Sequence, residues 1–236
     1  MMLRRQFIAT AGGGLTALAA PGAKSFRFAV IGDTHIIDEF YKGPEGSPED
    51  TDTIFKTSER LTATGDMLAR LTPKVERTFI CGDYFHNYPS TDLDFFFKNK
   101  TRIDNAKALT DSFPMPVHAG FGNHDYNVPK MPREASHELF RRKLGLEPYY
   151  AVDYKGFQFI HLNNFLGDTW QAGHEHYDKK TGSFGEQQLN WFEARLQRHV
   201  PAFVFLHFPL VLVKAREKAD YGVIPLIKKH RESIQA

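Results

Sequence analysis

The stretch "FAVIGDTH", residues 28–35, decides the fold class, because an apolar run of strand length ends abruptly at a glycine. Short apolar runs that end in this way are typical of buried strands. Asp33 and His35 follow the run directly. In open α/β sheets, ligands bind outside the carboxyl ends of the strands. The stretch therefore predicts both a buried strand and a functional sheet edge.

Further apolar runs alternate with helical patterns along the chain. The predicted strands are "FRFAVI" (26–31), "TFIC" (78–81), "PVHAG" (116–120) and "AFVFLH" (202–207), with a hairpin at Lys155-Gly156 between "YYAVDY" (149–154) and "FQFIHLN" (157–163). One helix is predicted from the spacing of Ile54, Leu61, Leu68 and Leu71. Another is predicted over "EQQLNWFEARL" (186–196), with a capping box of Ser183 and Glu186, and a last one begins at Pro225. The alternation predicts a layered α/β domain.

Residues 1–23 have the composition of an export signal. Arg4 and Arg5 precede a weakly apolar stretch that is rich in alanine and glycine and ends in small residues. The arginine pair followed by Phe7 and Ile8 resembles a twin-arginine signal, which implies a periplasmic or extracellular protein. An ordinary secretory signal or a membrane-tethered tail is the alternative. Residues 24–236 then form the folded domain.

Charge and composition exclude several classes of protein. Removal of residues 1–23 lowers the Lys+Arg count from 30 to 28, which equals the 28 Asp+Glu, so a nucleic-acid partner is disfavoured. No apolar run outside the N-terminus reaches the roughly 18 residues that a membrane span needs. The single cysteine, Cys81, rules out an internal disulfide framework, and its apolar neighbours favour a buried, unreactive thiol. The oligomeric state cannot be read from these totals.

Four of the predicted strands end in side chains that can bind metal. These residues are Asp33 and His35; Asp83, with His86 three residues later; Asn123, His124 and Asp125; and His207. The glycines that precede three of these groups, Gly32, Gly82 and Gly122, would let the main chain turn sharply near an ion. Carboxylate, imidazole and amide ligands without thiolate suit Mn, Fe or Zn.

The order of these motifs, D-x-H, G-D, G-N-H-D and then a strand-terminal histidine, resembles the calcineurin-like metallophosphoesterases. The resemblance extends over essentially all of residues 24–236. It implies a four-layer α-β-β-α sandwich and a catalytic domain that hydrolyses phosphoesters. It also implies two divalent or trivalent metal ions and a metal-bound hydroxide as the nucleophile.

The resemblance also implies a role for each motif residue. The implied metal ligands are Asp33 and His35 for one ion, Asp83 as the bridge, and Asn123 and His207 for the other ion. His124 would lie over the scissile phosphate and assist the leaving group. Asp125 would orient His124.

The residue at position 86 narrows the choice among the subfamilies that the chain could resemble. The purple acid phosphatases carry an iron-binding tyrosine at this position, and the protein Ser/Thr phosphatases carry an arginine-rich block that is missing here. The segment "GDYFHNYPS" (82–90) is similar to that of the double-strand-break repair nucleases, in which a histidine assists catalysis. His86 is therefore a candidate catalytic residue. We expect an exported phosphatase or phosphodiesterase that acts on small phosphoesters. The alternatives are a nuclease-like phosphodiesterase and an inert scaffold or binding protein on the same fold.

The stretch "GHEH" (173–176) matches the G-H-x-H motif that closes the family pattern, but it precedes His207 instead of following it. We therefore expect the true last motif to lie beyond residue 236, in which case the chain is a fragment and the fold is incomplete at its C-terminal end. Native loss of that motif, or its replacement by His174 and His176, stays open.

The remaining histidines are assigned by their neighbours in the sequence. His118 and His161 lie within predicted strands and are expected to be structural. His137, His199 and His230 are expected at the surface.

Overall fold

The computed structural model describes residues 7–10, 14–17, 25–43, 47–218 and 221–236. Two antiparallel strands, β1 (Phe7–Thr10) and β2 (Gly14–Ala17), are the described part of the predicted export signal. The rest of that signal lies outside the described residues, so its assignment stays a prediction. No helix in the described ranges is long and apolar enough to cross a membrane.

Two three-stranded sheets form the centre of the molecule. The first sheet consists of the parallel strands β3 (Arg27–Ile31), β4 (Val75–Ile80) and β5 (Val117–Ala119). The second sheet consists of β6 (Tyr150–Tyr154), β7 (Phe157–His161) and β8 (Ala202–Phe205), with β6 antiparallel and β8 parallel to β7. The predicted strands and the hairpin at Lys155-Gly156 are confirmed, with small differences at the ends.

Phenylalanine rings fill the space between the two sheets. Phe79 of the first sheet and Phe159 of the second are fully buried, and their ring centroids are 4.6 Å apart in a stacked arrangement. Phe28, Phe203 and Phe205 complete this layer. Burial of such rings provides much of the apolar area that stabilises a core. The alternation of side chains along each strand places these rings on the inner face and leaves the other face for helices.

Helices cover the outer faces of both sheets. They are α1 (Pro48–Phe55), α2 (Thr57–Arg70), α3 (Leu93–Lys98), α4 (Arg102–Asp111), α5 (Arg133–Leu144), α6 (Glu186–Leu196) and α7 (Val223–Lys229). Leu61 and Leu68 of α2 share a core cluster with Ile80 of the first sheet. Leu189 of α6 packs in a second cluster with Ile160 of the second sheet. The predicted four-layer α-β-β-α sandwich is thus confirmed.

Three local predictions were wrong. The amphipathic pattern from Ile54 to Leu71 forms two helices, because the chain leaves helical geometry at Lys56, between α1 and α2. The capping box of Ser183 is absent, since α6 begins after Gly185, and the Ser183 hydroxyl lies 2.6 Å from that of Thr169. The last helix begins at Val223, two residues before Pro225.

Candidate metal centre

Main-chain hydrogen bonds hold the first two motifs side by side beyond the sheet. The N–H of Asp33 donates to the carbonyl of Gly82 at 3.3 Å, and the N–H of His35 donates to that of Asp83 at 2.9 Å. These bonds continue the parallel pairing of β3 and β4 past the strand ends. The loops that carry the two motifs therefore have a fixed relative position.

Two glycines allow the second and third motifs to approach closely. A Cβ on Gly122 would lie 2.1 Å from the Asp83 nitrogen and 2.2 Å from Asp83 Oδ1. Gly82 has a φ of +107°, and a Cβ there would lie 2.6 Å from the Gly122 nitrogen. Gly32 has open space around a Cβ, so its approach to an ion stays a prediction. Of the three motif glycines, Gly82 and Gly122 are thus the two at which the main chains pack closely.

The main chain at the site adopts an uncommon conformation. Six described residues other than glycine have positive φ, and four of them are here: Asp33 at 54°, His35 at 45°, Asp83 at 49° and Asn87 at 55°. Such angles cost free energy in residues with a Cβ, and they cluster at functional sites. Their concentration in the motif loops indicates a site that is held in a specific geometry.

Asp83 lies at the centre of the converging side chains. Its Oδ2 is 3.4 Å from Nε2 of His35 and also 3.4 Å from Nε2 of His207. Its Oδ1 accepts a hydrogen bond of 2.8 Å from the main-chain N–H of His124. Its side chain is only 3% exposed. One carboxylate thus faces the imidazole predicted for each ion.

The contacts of His207 fit a cation. Its Nδ1 donates to the carbonyl of Cys81 at 3.2 Å, so in the neutral ring Nε2 carries a lone pair. That lone pair faces Oδ1 of Asn123 at 3.0 Å and Oδ2 of Asp83 at 3.4 Å. Three electron-rich atoms that point at one another are stabilised by a positive ion among them. Asn123, Asp83 and His207 therefore fit one metal site.

A second group of donors lies beside the first. Ligand atoms of Asp33, His35 and Asp83 all lie within 4.8 Å of one another, and His35 Nε2 is 3.7 Å from Asp33 Oδ1. Donor atoms bound 2.0–2.2 Å from a common ion in tetrahedral geometry are themselves about 3.3–3.6 Å apart. The observed separations are close to this spacing. The side chain of Asp33 is 63% exposed, so this site opens toward solvent.

The electrostatics of the site favour a bound cation. Burial and the neighbouring Asp83 raise the pKa of Asp33 above its usual range, against the imidazoles of His207 and His124. Burial would also raise the pKa of Asp83, but hydrogen bonds and charges from His207 and His124 bring it below its ordinary value. Burial lowers the pKa of His207, but the two carboxylates raise it above its usual value. The carboxylates together create the negative potential that attracts a metal ion.

His86 and His124 form a polar layer next to His35. The rings of His86 and His124 are stacked with centroids 4.9 Å apart, and Nδ1 of His86 is 3.0 Å from Nδ1 of His35. Asn87 joins the two rings, with Oδ1 at 2.9 Å from His124 Nδ1 and Nδ2 at 3.3 Å from His86 Nε2. His35, His86 and His124 also bring ring nitrogens within 4.8 Å of one another. His86 is thus a candidate ligand as well as a candidate catalytic residue.

Asp125 contacts the main chain around the site. Its fully buried carboxylate accepts N–H bonds from Gly122 at 2.7 Å and from Tyr84 and Phe85 at 3.2 Å. Burial and the charge of Asp83 raise its pKa to about 8, while these N–H bonds lower it. Asp125 thus ties together the loops after β4 and β5. Asn87, and not Asp125, has the hydrogen bond to the His124 ring, so the orienting role of Asp125 stays a prediction.

Asn164 is a supporting residue that the sequence motifs did not reveal. It is fully buried, and its Oδ1 accepts hydrogen bonds of 3.1 Å from the N–H groups of His207 and Phe208. The side chain thereby fixes the turn that presents His207. Its only sequence signal is a pair of asparagines, Asn163-Asn164, directly after an apolar strand.

A buried ion pair supports His86 in a similar way. Nη2 of Arg102 is 2.7 Å from Oδ1 of Asp38, and both side chains are at most 3% exposed. Nη1 of Arg102 also donates to the main-chain carbonyl of His86. The pair therefore fixes the loop that carries His86 against the start of α4. Both residues lie outside the motifs, so the sequence did not single them out.

His174 and His176 contact each other and belong to neither group of metal donors. Their ring centroids are 5.3 Å apart, and the N–H of His176 donates to Nδ1 of His174 at 3.1 Å. Within the described ranges, no donor cluster of three or more groups includes either of them. The histidines of the "GHEH" stretch are therefore not part of the described donor groups around Asp83.

The other histidines are mostly packed. His118 and His161 lie in the aromatic layer between the sheets, as expected. The surface prediction was wrong for His137, whose Nε2 lies 2.8 Å from the Tyr126 hydroxyl. It was also wrong for His230, whose side chain is 9% exposed. His199 is exposed, as predicted.

Among solved structures, the chain is similar to one described as "GAP50 the anchor in the inner membrane complex of Plasmodium", with 14% identity and a TM-score of 0.48. The match covers 87% of this chain but only 63% of that one. No curated protein matches the chain in sequence. The family model of the calcineurin-like phosphoesterases matches residues 26–229, and the chain therefore belongs to that family.

Proposed function

We propose that the protein is a metal-dependent hydrolase of phosphoesters, a phosphatase or phosphodiesterase with a two-ion centre. The observation that carries this proposal is the position of Asp83, whose Oδ2 is equidistant from His35 and His207. A carboxylate between two imidazoles is what a pair of ions about 3.5–4 Å apart requires. Membership in the calcineurin-like phosphoesterase family supports the same reaction class.

The residues divide between the two ions as follows. Asp33 and His35 would hold one ion, Asn123 and His207 the other, and Asp83 both. Such ions, when bound, polarise phosphoryl oxygens and lower the pKa of water toward neutrality. Their oxygen and nitrogen ligands are compatible with Mn, Fe or Zn.

His124 is placed to act on the substrate. Its main-chain N–H is bound to Asp83, and its Nδ1 lies 2.9 Å from Asn87 Oδ1, so the ring has a fixed position beside the ligands. Its side chain lines a cleft with Asn123, so a phosphoester in that cleft can contact both residues. We infer that the imidazolium form of His124, whose Nδ1–H donates to Asn87 Oδ1, donates from Nε2 to the phosphoryl group and passes that proton to the leaving oxygen. Such proton transfer typically contributes about 10²–10⁴-fold to a rate.

The substrate class follows from size and charge. Lys+Arg exceeds Asp+Glu by only two residues in the full chain, which disfavours a surface that binds polyanions in general. We therefore propose a small phosphoester as the substrate, with nucleic acid disfavoured. The arginine pair at Arg4-Arg5 supports action outside the cytoplasm, in the periplasm or beyond the cell.

A paired assay tests the proposal. The purified chain is loaded with Mn²⁺, Fe²⁺ or Zn²⁺, the bound metal is quantified, and the hydrolysis of p-nitrophenyl phosphate and bis-p-nitrophenyl phosphate is measured. We expect metal-dependent turnover that is lost in His124→Ala while the metal is retained. The relative rates on the two esters distinguish monoesterase from diesterase activity.

The same assay tests the inert alternative. A folded chain that binds no metal and hydrolyses neither ester would contradict the proposal and support a scaffold or binding protein. Hydrolysis that survives both His124→Ala and removal of metal would contradict the assigned site.

A further inference from the structure

A cleft opens beside the candidate metal centre. Its volume is about 410 Å³, which is in the range of small-molecule sites. Its lining includes Asn87, Asn123, His124, Tyr126, Lys130 and Lys179. Since His124 and Asn123 belong to the proposed reaction centre, a phosphoester bound there would place the rest of its structure in this cleft.

The charged side chains of the cleft are all basic. Lys130 and Lys179 line it, and no carboxylate does. Neither lysine forms an ion pair with any residue that the structure describes, unlike Lys143 and Lys155, which each have a carboxylate within 3 Å. The chain as a whole has nearly equal numbers of basic and acidic residues, so the two lysines are a local excess of positive charge. The cleft therefore favours an anion.

A second cavity continues the first. It has a volume of about 350 Å³, and Val128 and Pro129 line both cavities. Trp170 lines the second cavity and is 1% exposed, and its indole Nε1 has no hydrogen-bond partner among the described residues. The Lys179 ammonium lies 5.7 Å from the centre of this indole ring, so a cation–π contact helps to place it. The charged residues that line this second cavity, Arg133 and Glu134, form an ion pair of 3.3 Å with each other, so the uncompensated positive charge lies on the two lysines of the first cleft.

We propose that this cleft binds the alcohol portion of the substrate and that this portion carries an anionic group of its own, held by Lys130 and Lys179. The inference rests on the proposed function and specifies its substrate class. Neither lysine contacts Asp33, Asp83 or another proposed metal ligand in the described ranges, so their charge is available for a group other than the reacting phosphate. A carboxylate or a second phosphate has the required chemistry.

Matched substrates test the proposal. The kcat/KM values are measured for phenyl phosphate, 4-carboxyphenyl phosphate and hydroquinone bisphosphate. We expect the two substrates with a second anion to be preferred by about 10-fold, since ion pairs with exposed lysines are each of modest strength. The double variant Lys130→Met/Lys179→Met should abolish this preference, so that kcat/KM for the three esters becomes similar. Lys180→Met, an exposed neighbour outside the cleft, is the control and should keep the preference.

A binding measurement separates this inference from the proposed function. Calorimetric titration of the metal-free protein with hydroquinone bisphosphate should show binding that weakens about 10-fold in the double variant and not in Lys180→Met. If no ester is hydrolysed but this difference is observed, the proposed function fails and the anion site stands. If phenyl phosphate is hydrolysed but the double variant changes neither preference nor binding, the anion site is wrong. Preference for one dianion over the other distinguishes a carboxylate from a phosphate group.

Discussion

Two groups of histidines in this molecule have opposite environments. His207 lies two residues beyond the end of β8, where Asp83 and Asn123 face its ring. His161 is the last residue of β7, and its ring stacks on Tyr150 in the aromatic layer. Carboxylates raise the pKa of His207 despite burial, whereas burial lowers the pKa of His161 to about 3.

The difference shows that position relative to the strand end decides the chemistry. A histidine inside a strand is surrounded by neighbouring strands and the opposite sheet, so its ring remains neutral and apolar contacts dominate. A histidine just beyond the strand meets the polar ends of adjacent strands. Only the second position brings an imidazole together with the oxygen ligands that a metal requires.

The largest effect is expected from a change of Asp83, which lies at the centre of the residues beyond the strand ends. Asp83→Asn keeps an oxygen that can accept the His124 N–H bond but removes the negative charge between the two imidazoles. We expect both ions to be lost and hydrolysis to fall by at least about 10³-fold, because metal stabilisation of the reacting phosphate is worth several kcal/mol. Metal content and turnover are the readouts, and the exposed Asp66→Asn is the control. Full metal content in Asp83→Asn would contradict the proposal that Asp83 bridges the two ions.

The second prediction separates catalysis from metal binding within the same group. His124→Ala should lower kcat by about 10²–10⁴-fold and leave metal content unchanged. The reason is that His124 lines the cleft, that its ring contacts Asn87, and that it does not belong to the donor group of Asp33, His35 and Asp83. A parallel loss of metal in His124→Ala would make it a ligand, together with His35 and His86.

A third, smaller effect concerns the support of His207. Asn164→Ala removes the acceptor of two main-chain N–H bonds at the His207 turn, and we expect metal affinity to fall by about 10–100-fold. Asn164→Asp keeps that acceptor but loses the bond of 3.2 Å from Nδ2 to the Phe208 carbonyl, so we expect it to restore only part of the affinity. Calorimetric metal titration and thermal unfolding are measured together. A drop in stability without any change in metal affinity would show that Asn164 supports only the fold.

The fourth prediction uses the histidines between the sheets. The pKa of His161 is lowered from 6.5 to about 3, so the unfolded state takes up a proton below pH 6.5 while the folded state does not. Stability is therefore fully present above pH 6.5 and decreases as the pH falls toward 3. When the pH falls from 7 to 5, this histidine should lower the free energy of unfolding of the parent protein by about 2 kcal/mol. The loss of stability over the same pH change should be smaller by about 2 kcal/mol in His161→Phe.

Urea unfolding at the two pH values measures this difference. The exposed His199→Asn is the control, since its pH dependence should match that of the parent protein. Identical pH dependence in His161→Phe and the parent would show that His161 is not the buried neutral group described above.

The smallest expected effect concerns His174 and His176. Because these rings contact each other and share no donor group with Asp83, changing both to alanine should alter metal content and turnover by less than about twofold. A loss as large as that of Asp83→Asn would place the "GHEH" stretch in the metal centre. In that case the metal ligands would not be confined to the residues just beyond the strand ends.

The strands, and the residues that converge at their ends, could be predicted from the sequence because each motif is contiguous. An apolar run followed by glycine and a polar residue identifies both the strand and its end. Asn164 could not be found in this way, since its partner His207 lies 43 residues later. Arg102 and Asp38 are likewise joined only by the fold, across 64 residues.

Errors in the local predictions have a related origin. Ser183 followed by Glu186 has the pattern of a capping box, but the fold uses the Ser183 hydroxyl to contact Thr169. His137 lies on a polar helix, yet tertiary packing brings it to Tyr126. In both places a contact between distant segments outweighs the local pattern, and the sequence nearby carries no sign of it.

The most direct test of the two-ion centre is electron paramagnetic resonance of the protein titrated with Mn²⁺. Two ions joined through Asp83 should be magnetically coupled, and we expect the spectrum of a coupled pair that Asp83→Asn converts to isolated ions or abolishes. A spectrum of isolated Mn²⁺ at saturation, unchanged by Asp83→Asn, would contradict the account.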